Sequence, residues 1–156
     1  MIKLDRPLCV FDLEATGVDV NQDRIVDICI LRRETDGRET VFSSLVNPGV
    51  PIPPEASAVH HITDAMVADQ PTLKDLIPKL LETLEGADLG GFNAIKYDIP
   101  LLAAEFKRAG FELPLAGRRV ADSYVIFARK EKRDLTAAYK FYCGKELTGA
   151  HRADAD

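Results

Sequence analysis

The spacing of three strand-like runs constrains the fold of this chain more than any other feature of its sequence. Residues 8–13 (LCVFDL), 24–31 (RIVDICIL) and 40–46 (TVFSSLV) are short, rich in β-branched and aromatic side chains, and separated by Gly, Asp and Asn. The gaps between them are shorter than the roughly dozen residues that a parallel crossover needs. An antiparallel three-strand meander is therefore expected. The stretch 47–57 (NPGVPIPPEAS) holds four of the nine prolines and predicts an extended loop.

Beyond that loop the apolar period changes from two to that of a helix. Leu73, Leu76, Ile77, Leu80, Leu81 and Leu84 form one stripe across 72–85. Pro78 fits only a first turn, which sets the start of the regular helix near Asp75. Residues 87–92 predict a short strand in which Gly90 and Gly91 admit the close approach of another backbone. A helix is expected at 98–109, with Asp98 as its N-cap and Gly110 past its end. A fifth strand at 118–121 should precede a helix capped by Asp122, and a further helix should run from Asp134 to Cys143. Strands followed by α/β alternation imply one α/β domain over 1–156. Its sheet should be mixed, an antiparallel meander plus parallel strands, and flanked by helices.

Composition narrows the function classes. An apolar fraction of 46% and a charged fraction of 29% suit a globular domain. No apolar run approaches the ~20 residues of a membrane span, and the N-terminal segment lacks the layout of a secretion signal. Cys9, Cys29 and Cys143 lie far apart in apolar stretches and read as buried reduced thiols, neither a disulfide framework nor a zinc site. A cytoplasmic protein without a membrane partner is expected. The net charge of −5 disfavours an extended duplex-binding face. It does not disfavour an enzyme holding a few terminal nucleotides, since bound cations would offset ligand carboxylates. The basic cluster Arg129, Lys130, Lys132 and Arg133 could guide a strand, and suits a solvated helix end equally.

The chemistry-bearing residues are acids in apolar surroundings. Asp12 and Glu14, in CVFDLEATG, stand two apart at a strand end, so both carboxylates point to one face. Two adjacent anions call for a raised pKa or a cation; a bare pair of this kind also suits a solvated strand end. Gly17 supplies the turn that ends the strand. Asp98, in GFNAIKYDIPLL, is explained by capping alone, although a capping carboxylate keeps one oxygen free for a cation. Asn93 reads either as a turn-former or as a residue that orients a ligand. The chain closes with GAHRADAD, where His151 and Asp156 converge only if His151 lies in the loop or first turn before a helix.

Taken together, FDLEATG, FNAIKYDIPLL and HRADAD resemble, in order and separation, the three motifs of the DnaQ-like 3′→5′ exonucleases of the DEDD superfamily. His151, five residues before the last Asp, is similar to the DEDDh branch; the DEDDy branch would place Tyr where this chain has Arg152. The resemblance implies a ribonuclease H-like fold. It implies that Asp12, Glu14, Asp98 and Asp156 hold two divalent cations, Mg²⁺ or Mn²⁺, that Asp12 bridges them, and that His151 is the general base. It further implies that the backbone at Leu13, Ala15 and Thr16 and the side chain of Glu14 meet the terminal nucleotide. HHITDAMV (60–67) is similar to the family's HGIT stretch, which puts His61 and Ile62 beside the terminal base, with Asn93 a further substrate contact. His61 stands where the family has Gly, and Ala15 where Thr is common.

The expected activity is removal of nucleotides from the 3′ end of single-stranded or frayed DNA, with a DNA polymerase as an expected partner. An RNA-trimming enzyme of the same family is the alternative, and a catalytically silent binding module a more distant one. Members of the family continue the last helix past the fourth Asp. The sequence is therefore expected to be truncated within that helix, with metal occupancy and activity impaired.

Overall fold

The period-two alternation of the first run produces β1 (Leu8–Ala15), in which Cys9, Phe11, Leu13 and Ala15 are buried while Val10 and Asp12 are exposed. The computed structural model describes residues 3–130 and Gly144. β2 (Ile25–Arg33) pairs antiparallel with β1, and β3 (Glu39–Leu45) antiparallel with β2, which is the expected meander. Next come α1 (Pro54–His60), α2 (Asp64–Val67), α3 (Leu73–Leu84), β4 (Asp88–Gly91), α4 (Asp98–Arg108) and β5 (Val120–Asp122). β4 adds parallel to β1 and β5 parallel to β4, giving one mixed sheet ordered β3-β2-β1-β4-β5. The chain divides into two compact units, residues 1–123 and 124–156. α5 (Ser123–Lys130) begins at that boundary, and the predicted helix Asp134–Cys143 lies outside the described residues.

In the first unit the core forms where α3 and α4 lie on β1 and β2. Leu73, Ile77, Leu80 and Leu84 of α3 and Leu101, Leu102 and Phe106 of α4 meet Phe11, Leu13, Ile28 and Ile30 of the sheet. Gly90 and Gly91 act as the sequence suggested. A Cβ on Gly91 would stand 3.0 Å from the Phe11 carbonyl oxygen and 2.9 Å from the Ala94 Cβ. One buried acid pins this layer to the first turn of the sheet. Glu105 of α4, 2% exposed, lies 2.7 Å from both Arg24 and Arg108.

The register shifts between Glu14 and Ala15, which pair with Asp27 and Ile25, so Val26 is the extra residue of a bulge. Val26 leaves the main core and packs with Ile52, Ile62 and Val67 in a second small cluster. That cluster seats α1 and α2.

Four expectations are corrected. The proline-rich stretch is not extended to residue 57, because Pro54 opens α1, where a first-turn proline costs no helical hydrogen bond. α3 starts at Leu73, not Asp75. Thr72 and Asp75 form a capping box there, and buried Leu73 and Ile77 set the frame, so Pro78 falls inside the helix. Pro78 and Lys74 are both exposed, which leaves the unbonded Lys74 carbonyl to water. Asp98 is not the N-cap of α4; Tyr97 holds that position without a side-chain bond, and Asp98 is the first helical residue. Cys9 is buried as expected, but Cys29 is exposed on the outward side of β2, and Cys143 lies outside the described residues.

Candidate active site

The candidate site forms at the carboxyl ends of the parallel strands, where open α/β sheets place their ligands. β1 runs past β4: its pairing with β4 covers Leu8 to Val10, and Asp12 and Glu14 lie beyond it. They project to the face opposite the core side chains Phe11 and Leu13. The turn after β4 then delivers Asp98 at the start of α4, 4% exposed.

Asp98 reports on its neighbours. Burial pushes its carboxyl up to about 6, the negative charge of Asp12 adds to that rise, and Asp122 adds less; backbone N–H groups of Asp98 and Leu13 pull the other way. Tyr97 is pushed up to about 12, mainly by burial and then by the charges of Asp23, Asp98 and Glu14. Its hydroxyl donates to the Gly17 carbonyl at 2.6 Å, tying the turn before α4 to the turn after β1. Asp12, Glu14 and Asp98 are thus brought into one electrostatic neighbourhood. Among the described residues none of the three forms an ion pair.

Sequence reasoning missed one carboxylate here. Asp27 pairs directly with Glu14 across β1 and β2. Burial raises its pKa and outweighs the Ile28 N–H, which lowers it; the charge of Asp12 raises it further and His60 lowers it least. Its outward position was readable from the alternation of VDICIL; its register opposite Glu14 was not. Cys29 stands opposite Asp12 in the same pairing. With Asp12, Val10 and Phe92 it lines a shallow groove of ≈ 430 Å³. A larger groove of ≈ 590 Å³ is lined by Lys3, Asp88 and Arg119 and by none of the predicted site residues.

The other predicted residues separate into those near the acids and those committed to structure. Leu13 and Ala15 turn their side chains into the core, so only their backbone is available to a ligand. Thr16 is buried, its hydroxyl donating to Asp23 at 2.8 Å and accepting from the Arg24 N–H at 3.0 Å. Ile62 is packed in the second cluster. His61 is exposed with φ 62°, the left-handed conformation that explains why Gly suits this position. His60 accepts the Ile62 N–H at Nδ1, and its Nε2 is buried with no partner among the described residues. Asn93 also adopts a positive φ, 59°, in the turn before α4. His151 and Asp156 lie outside the described residues.

Among the described residues, no three His, Cys, Asp or Glu side chains are gathered closely enough to hold a metal ion by themselves. The donor set nonetheless fits a hard divalent cation. It is all oxygen, it includes a buried carboxyl held reluctant to ionise by burial and a like charge, and no described basic side chain neutralises it. No helix among the described residues is long and apolar enough to cross a membrane.

Comparison with known proteins gives three concordant findings. The RNase_T family, described as exonuclease, matches residues 9–156. The chain is 31% identical over 153 residues to the DNA polymerase III subunit epsilon of Treponema pallidum, covering 94% of this chain and 69% of that protein. It is 31% identical over 157 residues to the Aquifex aeolicus subunit of the same name, covering 98% and 76%. Among solved structures, the exonuclease I of Methylocaldum szegediense superposes with a TM-score of 0.68 at 21% identity. That superposition covers 81% of this chain but only 30% of the larger enzyme, and at such identity it shows the fold alone.

Proposed function

This chain belongs to the RNase_T exonuclease family and carries a 3′→5′ exonuclease domain, and on that premise we propose that it trims the 3′ end of single-stranded or frayed DNA with the aid of two divalent cations. The observation that supports the reading is that Asp12 and Glu14 end β1 in one electrostatic neighbourhood with buried Asp98, without a described cationic partner. Asp12, Glu14 and Asp98, with Asp156, would hold Mg²⁺ or Mn²⁺. Such ions, when bound, supply electrostatic stabilisation of the attacking and leaving oxygens in an in-line displacement.

The protein's own groups do the rest. The end of β1 opposite the bulge of β2 and the turn at Thr16–Gly17 present backbone to the terminal nucleotide, while Glu14 faces the same side as Asp12. Asp98, buried beside Asp12, ionises more readily when positive charge enters the site. His151 takes the proton of the attacking water, as an imidazole near neutral pH can. One domain over residues 1–156, a polymerase as partner and a cytoplasmic location complete the proposal; the relatives named as polymerase III epsilon subunits support the partner.

Asp12→Ala tests it: nuclease activity on a single-stranded oligonucleotide should vanish while circular dichroism and oligonucleotide binding stay close to the parent. Equal inertness of parent and variant with every metal tried would refute the enzymatic reading. Matched DNA and RNA oligomers separate DNA trimming from RNA trimming, which turns on contacts to the 2′-hydroxyl.

A further inference from the structure

The turn 92–97, which delivers Asp98, is not anchored by a cap of its own helix. α4 has no side-chain cap, and its N-cap residue Tyr97 sits at φ −126°, ψ −70°. Besides the Tyr97 hydroxyl bond to Gly17, the anchor comes from the neighbouring strand. Asp122 ends β5, pairs with Gly91 at the end of β4, and is 3% exposed. One of its carboxylate oxygens accepts the Asn93 N–H at 2.9 Å, and the other accepts the Ile95 N–H at 3.0 Å. The Asn93 carbonyl in turn accepts the N–H groups of Lys96 and Tyr97, both at 3.1 Å, and the Ala94 carbonyl accepts that of Ile99 at 2.9 Å. The hydrogen bonds thus run from Asp122 through the left-handed Asn93 directly to the first turn of α4. The sequence makes Asp122 a cap for the helix that follows it; these two bonds give it a task on the opposite side.

The choice of residue is informative. A Ser or Asn offers a single acceptor oxygen and adds no negative charge behind a cluster of acids. A carboxylate gives each of the two N–H groups an oxygen of its own, at the cost of repulsion toward Asp98. The arrangement trades electrostatic comfort for rigidity of the turn. We propose that Asp122 is a positioning residue for cation binding, holding Asp98 in its ligating place by clamping the turn with both carboxylate oxygens. This rests on the reading of Asp98 as a cation ligand.

Mn²⁺ titration of the full chain, followed by electron paramagnetic resonance, tests the two claims separately. The set is the parent, Asp98→Ala, Asp122→Asn, the double variant, and Ser123→Ala, which removes a hydroxyl bonded to the Gly91 carbonyl in the same corner. Asp122→Asn turns one acceptor into a donor facing an N–H and should weaken Mn²⁺ about tenfold, as removal of an outer support of a metal site does. Ser123→Ala should leave affinity unchanged. The double variant should bind no more weakly than Asp98→Ala, because the support has lost what it supports. Raising Mn²⁺ should restore most of the lost kcat of Asp122→Asn with KM for the oligonucleotide unchanged. Parent-like Mn²⁺ affinity in Asp122→Asn beside a weakened Asp98→Ala would overturn the positioning role alone, as would additive losses in the double variant. Parent-like affinity in Asp98→Ala would overturn the ligand assignment, and the positioning role with it. If Asp122→Asn does not fold, amide exchange at Asn93 and Ile95 in the parent decides: Mg²⁺ should slow it, and unchanged rates would refute the clamp.

Discussion

Asp98→Asn should make the metal-free protein more stable at neutral pH, although it removes a predicted ligand. Asp98 is 4% exposed, and its carboxyl is pushed from 3.8 to about 6 by burial and by Asp12. The folded protein therefore binds that proton more tightly than the unfolded chain. Stability from this group is fully present below about pH 4 and falls as pH rises toward 6, beyond which the loss is constant. A gap of roughly two units amounts to about 3 kcal/mol that ionised Asp98 costs the fold. Asn carries no charge but makes poorer bonds to the N–H groups of Asp98 and Leu13, which returns about 1 kcal/mol. The net gain of about 2 kcal/mol should raise Tm by roughly 4–8 °C at pH 8. Thermal melts in a chelating buffer at pH 4 and pH 8 measure it directly. At pH 4 the two proteins should melt together. In Mn²⁺ at a hundred times its Kd, the parent should regain about 2.7 kcal/mol and close the gap at pH 8. A variant that melts no higher than the parent at pH 8 without metal, or by the same margin at both pH values, would refute the reasoning.

Glu105→Ala should destabilise the protein by about 3 kcal/mol in urea unfolding, because it strands the guanidinium groups of Arg24 and Arg108 that Glu105 pairs; a loss below about 1 kcal/mol would show the cluster to be dispensable. His61→Gly should stabilise by about 0.5–1 kcal/mol, since relief of the left-handed conformation outweighs the entropy cost of glycine; a lower Tm would mean that the exposed imidazole makes an interaction of its own. Gly91→Ala should cost about 1–3 kcal/mol, because its Cβ would press on the Phe11 carbonyl and on Ala94. The same variant should lower nuclease activity beyond its effect on stability, as the displaced backbone leads to Asp98.

The amino-acid sequence by itself determined the order of the five strands and of α3, α4 and α5, though not the presence of α1 and α2, together with the antiparallel meander and the outward direction of Asp12 and Glu14. Those follow from local rules: the period of apolar residues, the lengths of the gaps, and the alternation of side chains along a strand. Its motifs also pointed to the family, because three short patterns in fixed order are specific together where each alone is not. What local rules could not supply was register and partnership. Asp27 faces Glu14 as the last pair of the register that β2 keeps against β1 before the bulge at Val26, and Val26 there packs with Ile52, Ile62 and Val67. Asp98 looked like a cap because a helix follows it, yet the fold buries it and gives the turn to Asp122, 29 residues from Asn93 along the chain. Thr72 won over Pro78 in setting the start of α3, because a capping box and buried Leu73 together outweigh one missing hydrogen bond. Burial, charge proximity and long-range hydrogen bonds are sums over neighbours brought from distant positions, and only the tertiary structure decided them.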